Sequence, residues 1–413
     1  MTSRERMLTA IAGGEPDHVP LCSWAFGFQA PPHLRWSEGG REVRYWYSTR
    51  LEHIHKLPEP WDVTQDFQRA ERWLSLGVDD VLDVSVPWAI DPRVKVRDWQ
   101  QAAGHGRPYT LIGREYTTPA GPLPHIVRRD EERAAPGWVV QPDVVQLIED
   151  YNIPRGERHI LSGPEDLPKL RYLLAGPSAD QAAAYRERIR LVRQFADREG
   201  VLAQAWSAFG MDGIVWLMGV ERAVLAAMEE PDFFAEAINL QADFDRKRTE
   251  LALDVGGVDL VVQRGWYSST DFWSPTLFRR FILPSLKSLV EMAHQAGAKF
   301  AYTMTTGLTP LMDLLAEAGI DLLYYIDPVQ DRVDLREAKR KLAGRFALAG
   351  GINSGVTLAS GTADEVHQGV TRAVEVLGPS GFILSPVDAL FPDTPWENVQ
   401  AMIDAWRETW PKD

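Results

Sequence analysis

The stretch KFAYTMTTGLTPLMDLLAEAGIDLLYYI, residues 299–326, decides the fold of this chain. It reads as a buried strand, a helix that starts at Thr309-Pro310 and stops at Gly319, and a second buried strand. Short connections of this kind join parallel strands in right-handed βαβ units. Similar apolar runs occur eight times, at residues 19–24, 81–86, 201–206, 258–263, 299–303, 321–326, 345–350 and 382–385. Eight such strands with intervening helices predict an α/β fold of the (β/α)8 TIM barrel type.

The first half of the chain is less regular than the second. Residues 36–73, rich in Trp and Arg, indicate a long excursion plus a helix between strands one and two. Residues at about 91–142 alternate polar and apolar positions, which predicts an inserted antiparallel hairpin after strand two. We find no internal repeat and no linker, so we predict a single domain over residues 1–413 that includes this insertion.

Composition excludes several functional classes. The net charge of −14 argues against a nucleic-acid partner, which would require a basic face. No apolar run approaches the length of a membrane span, and residues 1–7 lack a signal peptide's apolar stretch. We therefore expect a cytoplasmic protein with no membrane partner, and assembly as a homodimer stays open. The single cysteine, Cys22, rules out an intrachain disulfide or a cysteine-based metal cluster.

In a TIM barrel the chemistry lies at the carboxyl ends of the strands, so the residues at those ends are the candidates for the site. They are Trp24 and Phe26; Asp83; Trp206; Gln263, Arg264, Trp266 and Tyr267; Tyr302, Thr303 and Thr305; Asp327; Asn353; and Asp388. His125 joins them as a residue of the insertion that could hang over the mouth of the barrel.

Arg264 is the most informative of these residues. A guanidinium at a strand end is suited to hold a carboxylate or phosphate bidentately. The alternative is an internal salt bridge to an acidic strand-end residue such as Asp327. Trp24, Trp206 and Trp266 would form apolar or cation-binding walls, or would simply pack at the barrel rim.

Other candidates also have structural alternatives. Asp327 precedes Pro328 and could shape a turn, Asn353 could supply a turn conformation, and Asp83 could pair with an arginine. The chain lacks H-E-x-x-H and C-x-x-C patterns, and we assign no metal ligand. A hard-cation site built from Asp83, Asp327 and Asp388 stays open, because oxygen ligands suit magnesium or calcium.

Several motifs along the chain resemble those of the uroporphyrinogen decarboxylase superfamily, which contains the decarboxylase and the cobalamin-dependent methyltransferases. The motifs are RERMLTAI at 4–11, PDHVP at 16–20, TTPAGPL at 117–123, AGGIN at 349–353, FILSP at 382–386 and PDTPWENV at 392–399. The resemblance implies a (β/α)8 barrel, in agreement with the strand count. The Thr-Pro-Ala-Gly segment is closer to the methyltransferase branch.

The resemblance also shows where this chain departs from the family pattern. Decarboxylases carry an arginine-rich segment after strand one, whereas residues 22–29 read CSWAFGFQ, so a many-carboxylate porphyrinogen is not the expected substrate. The methyltransferase branch holds zinc through His-x-Cys after strand five and Cys after strand eight. Thr303, Thr305 and Asp388 occupy those positions here. They make a poor zinc site, and Asp388 could instead act as a general acid or base.

Three functional hypotheses follow. The first is a methyltransferase or demethylase acting on a small methylated or aromatic substrate, with a corrinoid on a separate partner protein as methyl acceptor. Arg264 would anchor a carboxylate and Asp388 would be the acid/base. The second is a decarboxylase or lyase of a small carboxylic acid, in which Asp83 or Asp388 protonates a carbanion. The third is a ligand-binding barrel that has lost catalysis.

Overall fold

A computed structural model describes residues 1–46, 64–104, 106–129, 145, 147–150, 152–254 and 256–411. The strands are β1 Phe28–Gln29, β2 Trp36–Glu38, β3 Arg41–Val43, β4 Tyr45–Trp46, β5 Val81–Ser85, β6 Lys95–Gln101, β7 Leu111–Thr118, β8 Gly121–Arg128, β9 Gly156–Arg158, β10 Leu202–Ala208, β11 Leu260–Gln263, β12 Lys299–Thr303, β13 Leu322–Ile326, β14 Ala347–Asn353 and β15 Phe382–Val387.

The helices follow the strands in the alternation that the sequence predicts. They are α1 Ser3–Ile11, α2 Thr64–Ser75, α3 Asn152–Arg155, α4 Leu167–Leu170, α5 Ala179–Glu199, α6 Gly210–Met218, α7 Val220–Glu229, α8 Pro231–Asp254, α9 Pro275–Leu277, α10 Leu283–Gln295, α11 Met312–Ala318, α12 Leu335–Leu342, α13 Ala363–Leu377 and α14 Trp396–Glu408. Among the described residues, no helix combines the length and the apolar character needed to cross a bilayer.

Seven strands form one curled parallel sheet in the order β15-β14-β13-β12-β11-β10-β5. Their inward side chains, among them Leu202, Leu260, Ala301 and Ile383, pack into a cluster inside the curl. The outward side chains pack against the helices in a second, larger core. The chain therefore has the TIM-barrel-like α/β fold that the strand pattern predicts, with the strand ends of the sheet meeting at one face.

The first predicted strand, residues 19–24, is not a regular strand, and this part of the prediction needs correction. The segment makes isolated parallel bridges, Leu21 to Leu384 and Cys22 to Asp79. Pro20 has no amide hydrogen, and the Leu21 amide donates to the Asp79 carboxylate at 3.2 Å, so a continuous ladder cannot form here. The segment still touches both edges of the seven-stranded sheet and completes its curl.

Two of the sequence motifs fix this segment through ion pairs, of which Arg6–Asp79 is buried and the others are partly exposed. Arg6 in the first motif donates to Asp17 in the second at 2.6 Å and to Asp79 at 2.6 Å. Arg4 pairs with Asp259, just before β11, at 2.6 Å. These charges thus tie the N-terminal residues to the edges and base of the parallel sheet.

A four-stranded antiparallel sheet, β6-β7-β8-β9, is separate from the parallel sheet. The TTPAGPL motif forms the tight turn between β7 and β8, where the Thr118 hydroxyl donates to Gly121 O at 2.8 Å and accepts from Ala120 N at 3.1 Å. The sheet begins within the segment predicted as a hairpin, 91–142, and β9 lies beyond it. Residues 130–142 of that segment, and residues 47–63 of the predicted 36–73 excursion, lie outside the described residues.

Candidate active site

Asp388 lies directly after β15 at the mouth of the barrel. Its backbone φ is +75°, in the left-handed region that glycine, asparagine and aspartate adopt more readily than other residues. The next residues are tied to the first segment, because Leu390 N donates to Trp24 O at 2.8 Å and Phe26 N donates to Leu390 O at 2.8 Å. The loop that carries Asp388 therefore lies beside Trp24 and Phe26.

The environment of the Asp388 carboxyl favours its protonated form. Burial raises its pKa to about 6, and the negative charge of Asp150 acts in the same direction. The positive charge of Arg264 and a hydrogen bond from the Trp266 side chain lower the pKa and only partly offset the burial. A carboxyl with this pKa can both hold and release a proton near neutral pH.

Three tryptophans form a stacked wall beside Asp388. The rings of Trp206 and Trp266 are nearly parallel, with an interplanar angle of 8° and centroids 5.7 Å apart. Trp24 follows at 6.1 Å from Trp206, and Phe26 meets Trp24 edge-on at 5.8 Å. The structure thus brings these four predicted residues together as one aromatic surface, suited to a flat or methylated ligand.

Asp83 is buried inside the barrel beneath this wall. Its carboxylate accepts hydrogen bonds from Trp206 Nε1 at 3.1 Å and from the Gln204 amide. The Tyr324 hydroxyl donates to Gln204 Oε1 at 3.3 Å. Gln204 and Tyr324 were not among the sequence candidates, although the alternation of side chains along β10 places Gln204 on the same face as Trp206.

Arg264 forms internal salt bridges with protein carboxylates, as the second interpretation expects. Its Nε donates to Asp212 Oδ2 at 3.2 Å and its terminal nitrogen donates to Asp150 Oδ2 at 2.9 Å. The guanidinium also lies between the rings of Trp216 and Trp266, 4.8 and 4.4 Å from their centroids. The internal salt bridge exists, but its acids come from α6 and from residues 147–150, not from Asp327.

Tyr267 belongs to the same cluster. Its amide donates to Asp212 Oδ1 at 2.9 Å, and its side chain hydrogen-bonds Asp150. Burial raises the pKa of the Tyr267 hydroxyl, and burial likewise raises the pKa of Asp212 to about 7 despite the charge of Arg264. We call Asp150, Asp212, Arg264, Trp216 and Tyr267 the arginine clamp.

The comparison with known proteins is decided by the match to a family model. The model described as uroporphyrinogen decarboxylase (URO-D) matches residues 145–409, well over half of the chain. The chain belongs to the uroporphyrinogen decarboxylase family. The resemblance inferred from the sequence motifs is thereby confirmed.

Relatives within this family include both methyltransferases and decarboxylases. Methylcobamide:CoM methyltransferase MtaA from Methanosarcina barkeri is 24% identical over 208 residues, 48% of this chain and 56% of MtaA. Uroporphyrinogen decarboxylase from Gloeobacter violaceus is 23% identical over 286 residues, 63% of this chain and 78% of that protein. The chain thus matches little more than half the length of MtaA. A solved methyltransferase from Methanosarcina mazei shares the fold, with a TM-score of 0.58, 17% identity and 100% coverage of both chains.

The residues at the methyltransferase zinc positions do not fit zinc. Thr303 follows the inward-facing Ala301 by two positions, so it faces the barrel axis; it is fully buried, and its hydroxyl has no hydrogen-bond partner among the described residues. Thr305 is partly exposed two residues later. Zinc prefers sulfur and imidazole nitrogen, and two hydroxyls with one carboxylate do not provide them. Within the described part of the chain, no group of three His, Cys, Asp or Glu side chains is arranged to hold a metal.

Two predicted site residues face away from the mouth. Tyr302 alternates with the inward-facing Ala301 and Thr303, and its hydroxyl hydrogen-bonds Ser268 in the outer layer at 2.5 Å. Gln263 lines a small cavity between the sheet and the helices, next to Gly210. The reason is the period of two along a strand, which separates these residues from their neighbours at the site.

Asp327 and Asn353 form a rim network instead of a metal site. Asn353 Nδ2 donates to Asp327 Oδ2 at 2.8 Å, and the other oxygen of Asp327 accepts from Val329 N at 2.8 Å. Asn353 Oδ1 accepts from Val356 N at 2.6 Å. The turn-shaping alternative describes both residues.

His125 lies in the antiparallel sheet rather than over the strand ends. Its ring is 6.2 Å from that of His159, which packs beside Gly219 at the C-terminal end of α6. Asp212 of the arginine clamp lies at the opposite end of that helix. The structure therefore places the His125 ring on β8, near the ring of His159.

Proposed function

We propose that this chain catalyses methyl-group transfer from a small methylated or aromatic substrate bound against the Trp24, Trp206 and Trp266 wall. Asp388 is the observation that carries the proposal. Its carboxyl is partly buried and lies beside the aromatic wall, burial raises its pKa to about 6, and its backbone is left-handed. It also occupies the strand-eight position at which the methyltransferase branch of the family has a zinc ligand. The methyltransferase among the curated relatives supports the same reaction class.

In the proposed step the bond between the methyl carbon and its heteroatom breaks. The heteroatom keeps the electron pair of that bond and takes a proton from Asp388, and the methyl carbon forms its new bond with an electron pair of the acceptor. A reduced corrinoid on a separate partner protein would supply that nucleophilic electron pair. The aromatic wall orients the substrate and keeps water from the protonated carboxyl, which returns to its starting state by taking a proton from solvent.

The experiment is methyl transfer from a panel of O-methyl and N-methyl substrates to reduced cobalamin, followed by the absorbance change of the corrinoid. Asp388→Asn should lower the rate by about 100-fold or more, because general acid catalysis contributes factors of that order. Asp254→Asn, a surface substitution on α8, is the control. An unchanged rate of methyl transfer in Asp388→Asn would overturn the assignment of Asp388 as the general acid. Substrate binding with no turnover in either protein would favour the binding-only alternative.

The decarboxylase alternative is less well supported by the geometry. It needs a cation that holds the substrate acid, and two nitrogens of Arg264 are already bonded to Asp212 and Asp150. Release of carbon dioxide from a small carboxylic acid, independent of cobalamin, would establish this alternative in place of methyl transfer.

A further inference from the structure

The arginine clamp and Asp388 share one residue, Trp266. Its indole stacks on Trp206, with ring centroids 5.7 Å apart, and the Arg264 guanidinium lies over the same indole, 4.4 Å from its centroid. The Trp266 side chain hydrogen-bonds Asp388. Because these two contacts restrain the ring, they also restrain the direction of the hydrogen bond to the carboxyl.

The partners of Arg264 differ in their surroundings. Asp212 has no exposed side-chain surface, whereas the Asp150 side chain is 38% exposed. Asp212 lies on α6 and also binds the Tyr267 amide, so it serves as the structural anchor. Asp150 comes from residues 147–150 and also accepts a hydrogen bond from Trp216 Nε1 on Oδ1 at 2.7 Å. Asparagine retains this oxygen, so Asp150→Asn removes the charge and keeps an acceptor for Trp216.

We propose that Arg264 is a positioning residue for Asp388: it fixes the Trp266 indole that bonds the carboxyl and places a positive charge near it, while Asp150 is the counter-charge that limits this effect. The catalytic meaning of this arrangement rests on the proposed function, but its effect on Asp388 does not. It also explains why a guanidinium lies at a strand end without being offered to a substrate.

The charged and titratable groups that act on Asp388 come from three elements. Arg264 and Asp150 belong to the clamp, and Tyr325 faces the carboxyl from β13. The phenol of Tyr325 is uncharged near neutral pH because burial raises its pKa well above its usual value. Arg264 and Asp150 are therefore the two charges whose removal should shift the pKa of Asp388 in opposite directions.

Three substitutions test the proposal by the sign of their effects on the pKa of Asp388. Asp150→Asn should lower this pKa by roughly half a unit to one unit, because the positive charge of Arg264 is then less compensated. Arg264→Gln should raise it by a similar amount. Trp266→Phe should also raise it, because phenylalanine retains the stacking surface but cannot donate a hydrogen bond.

The pKa is measured without turnover, from the pH dependence of the difference in unfolding free energy between each variant and the same variant carrying Asp388→Asn. The pH profile of methyl transfer should then shift in the same direction. The controls are Asp254→Asn and Arg186→Gln, which remove the matching charges from a surface pair. Arg264→Lys should restore part of the shift.

If all three substitutions move the pKa of Asp388 in the same direction, the clamp is only structural and the proposal is overturned. The same holds if neither Asp150→Asn nor Trp266→Phe changes this pKa. These two variants decide the matter even when Arg264→Gln does not fold. If the pKa of Asp388 moves as expected but methyl transfer is absent in every protein, the positioning role stands and the proposed function falls.

Discussion

Asp388 should destabilise the folded protein at neutral pH, and Asp388→Asn should remove that cost. Burial raises the pKa of this carboxyl from 3.8 to about 6, so the folded state holds the proton more tightly than the unfolded chain. At 1.36 kcal/mol for each unit, ionisation of the carboxyl costs the fold about 3 kcal/mol above pH 6. Asparagine accepts the left-handed backbone at this position, so the substitution leaves the conformational strain unchanged.

The sign of the effect is specific to a raised pKa. The wild type loses stability relative to Asp388→Asn as the pH rises from about 4 through 6, and the difference then stays constant. Between pH 5 and 7.5 the advantage of the variant should grow by about 1.4 kcal/mol. Urea unfolding of both proteins across this range, followed by circular dichroism, measures it, because other titrating carboxyls are common to both proteins and cancel.

Asp254→Asn, on the surface of α8, should give a difference that does not follow this curve. A pH-independent difference between wild type and Asp388→Asn would refute the reasoning. So would a variant that becomes less stable than the wild type as the pH rises. Either result would mean that the carboxyl is solvated at the barrel mouth and is not the neutral-pH acid that the proposed mechanism needs.

Other substitutions probe the packing around the site, and urea midpoints measure each of them. Arg248→Met should lower the free energy of unfolding by about 3 kcal/mol. The buried guanidinium donates to Val86 O at 2.9 Å and to Ser207 O at 2.6 Å, and so joins the ends of β5 and β10. An unchanged midpoint would contradict this. Thr303→Val should raise stability by about 1 kcal/mol by removing an unpaired buried hydroxyl, and a loss would reveal a partner for it. Gly350→Ala should lower the free energy of unfolding by at least about 2 kcal/mol. The backbone φ of Gly350 is +129°, and a Cβ there would lie 2.6 Å from Ile326 O. An unchanged midpoint would show that β14 can shift.

Much of the fold was predictable because its signals are local. Caps and periodicity predict the helices after β11, and apolar runs locate β12 to β15. The prediction of a regular strand at residues 19–24 was wrong, because an apolar run does not show that Pro20 and the Asp79 carboxylate interrupt its hydrogen bonding. Apolar patterning indicates burial, whereas a strand also needs free amides on a partner edge.

The site was predictable in part for the same reason. Strand ends located Asp388 and the tryptophan wall, since every parallel strand ends at the same face of the sheet. The role of Arg264 was out of reach, because its partner Asp150 lies 114 residues away in the chain and no local pattern connects them. The assignment of Tyr302 to the site could have been avoided, since Ala301 and Thr303 on either side of it already define the inward face of β12.

The interrupted pairing of residues 20–26 gives the barrel a seam. Seven strands are joined by ladders, but this segment is held by separate bridges and by the ion pairs of Arg6. Trp24 and Phe26 belong to this segment, so one wall of the mouth is carried by the part of the barrel that lacks a continuous ladder. The position of that wall relative to Asp388 therefore depends on separate contacts, among them the two backbone hydrogen bonds that join Trp24 and Phe26 to Leu390.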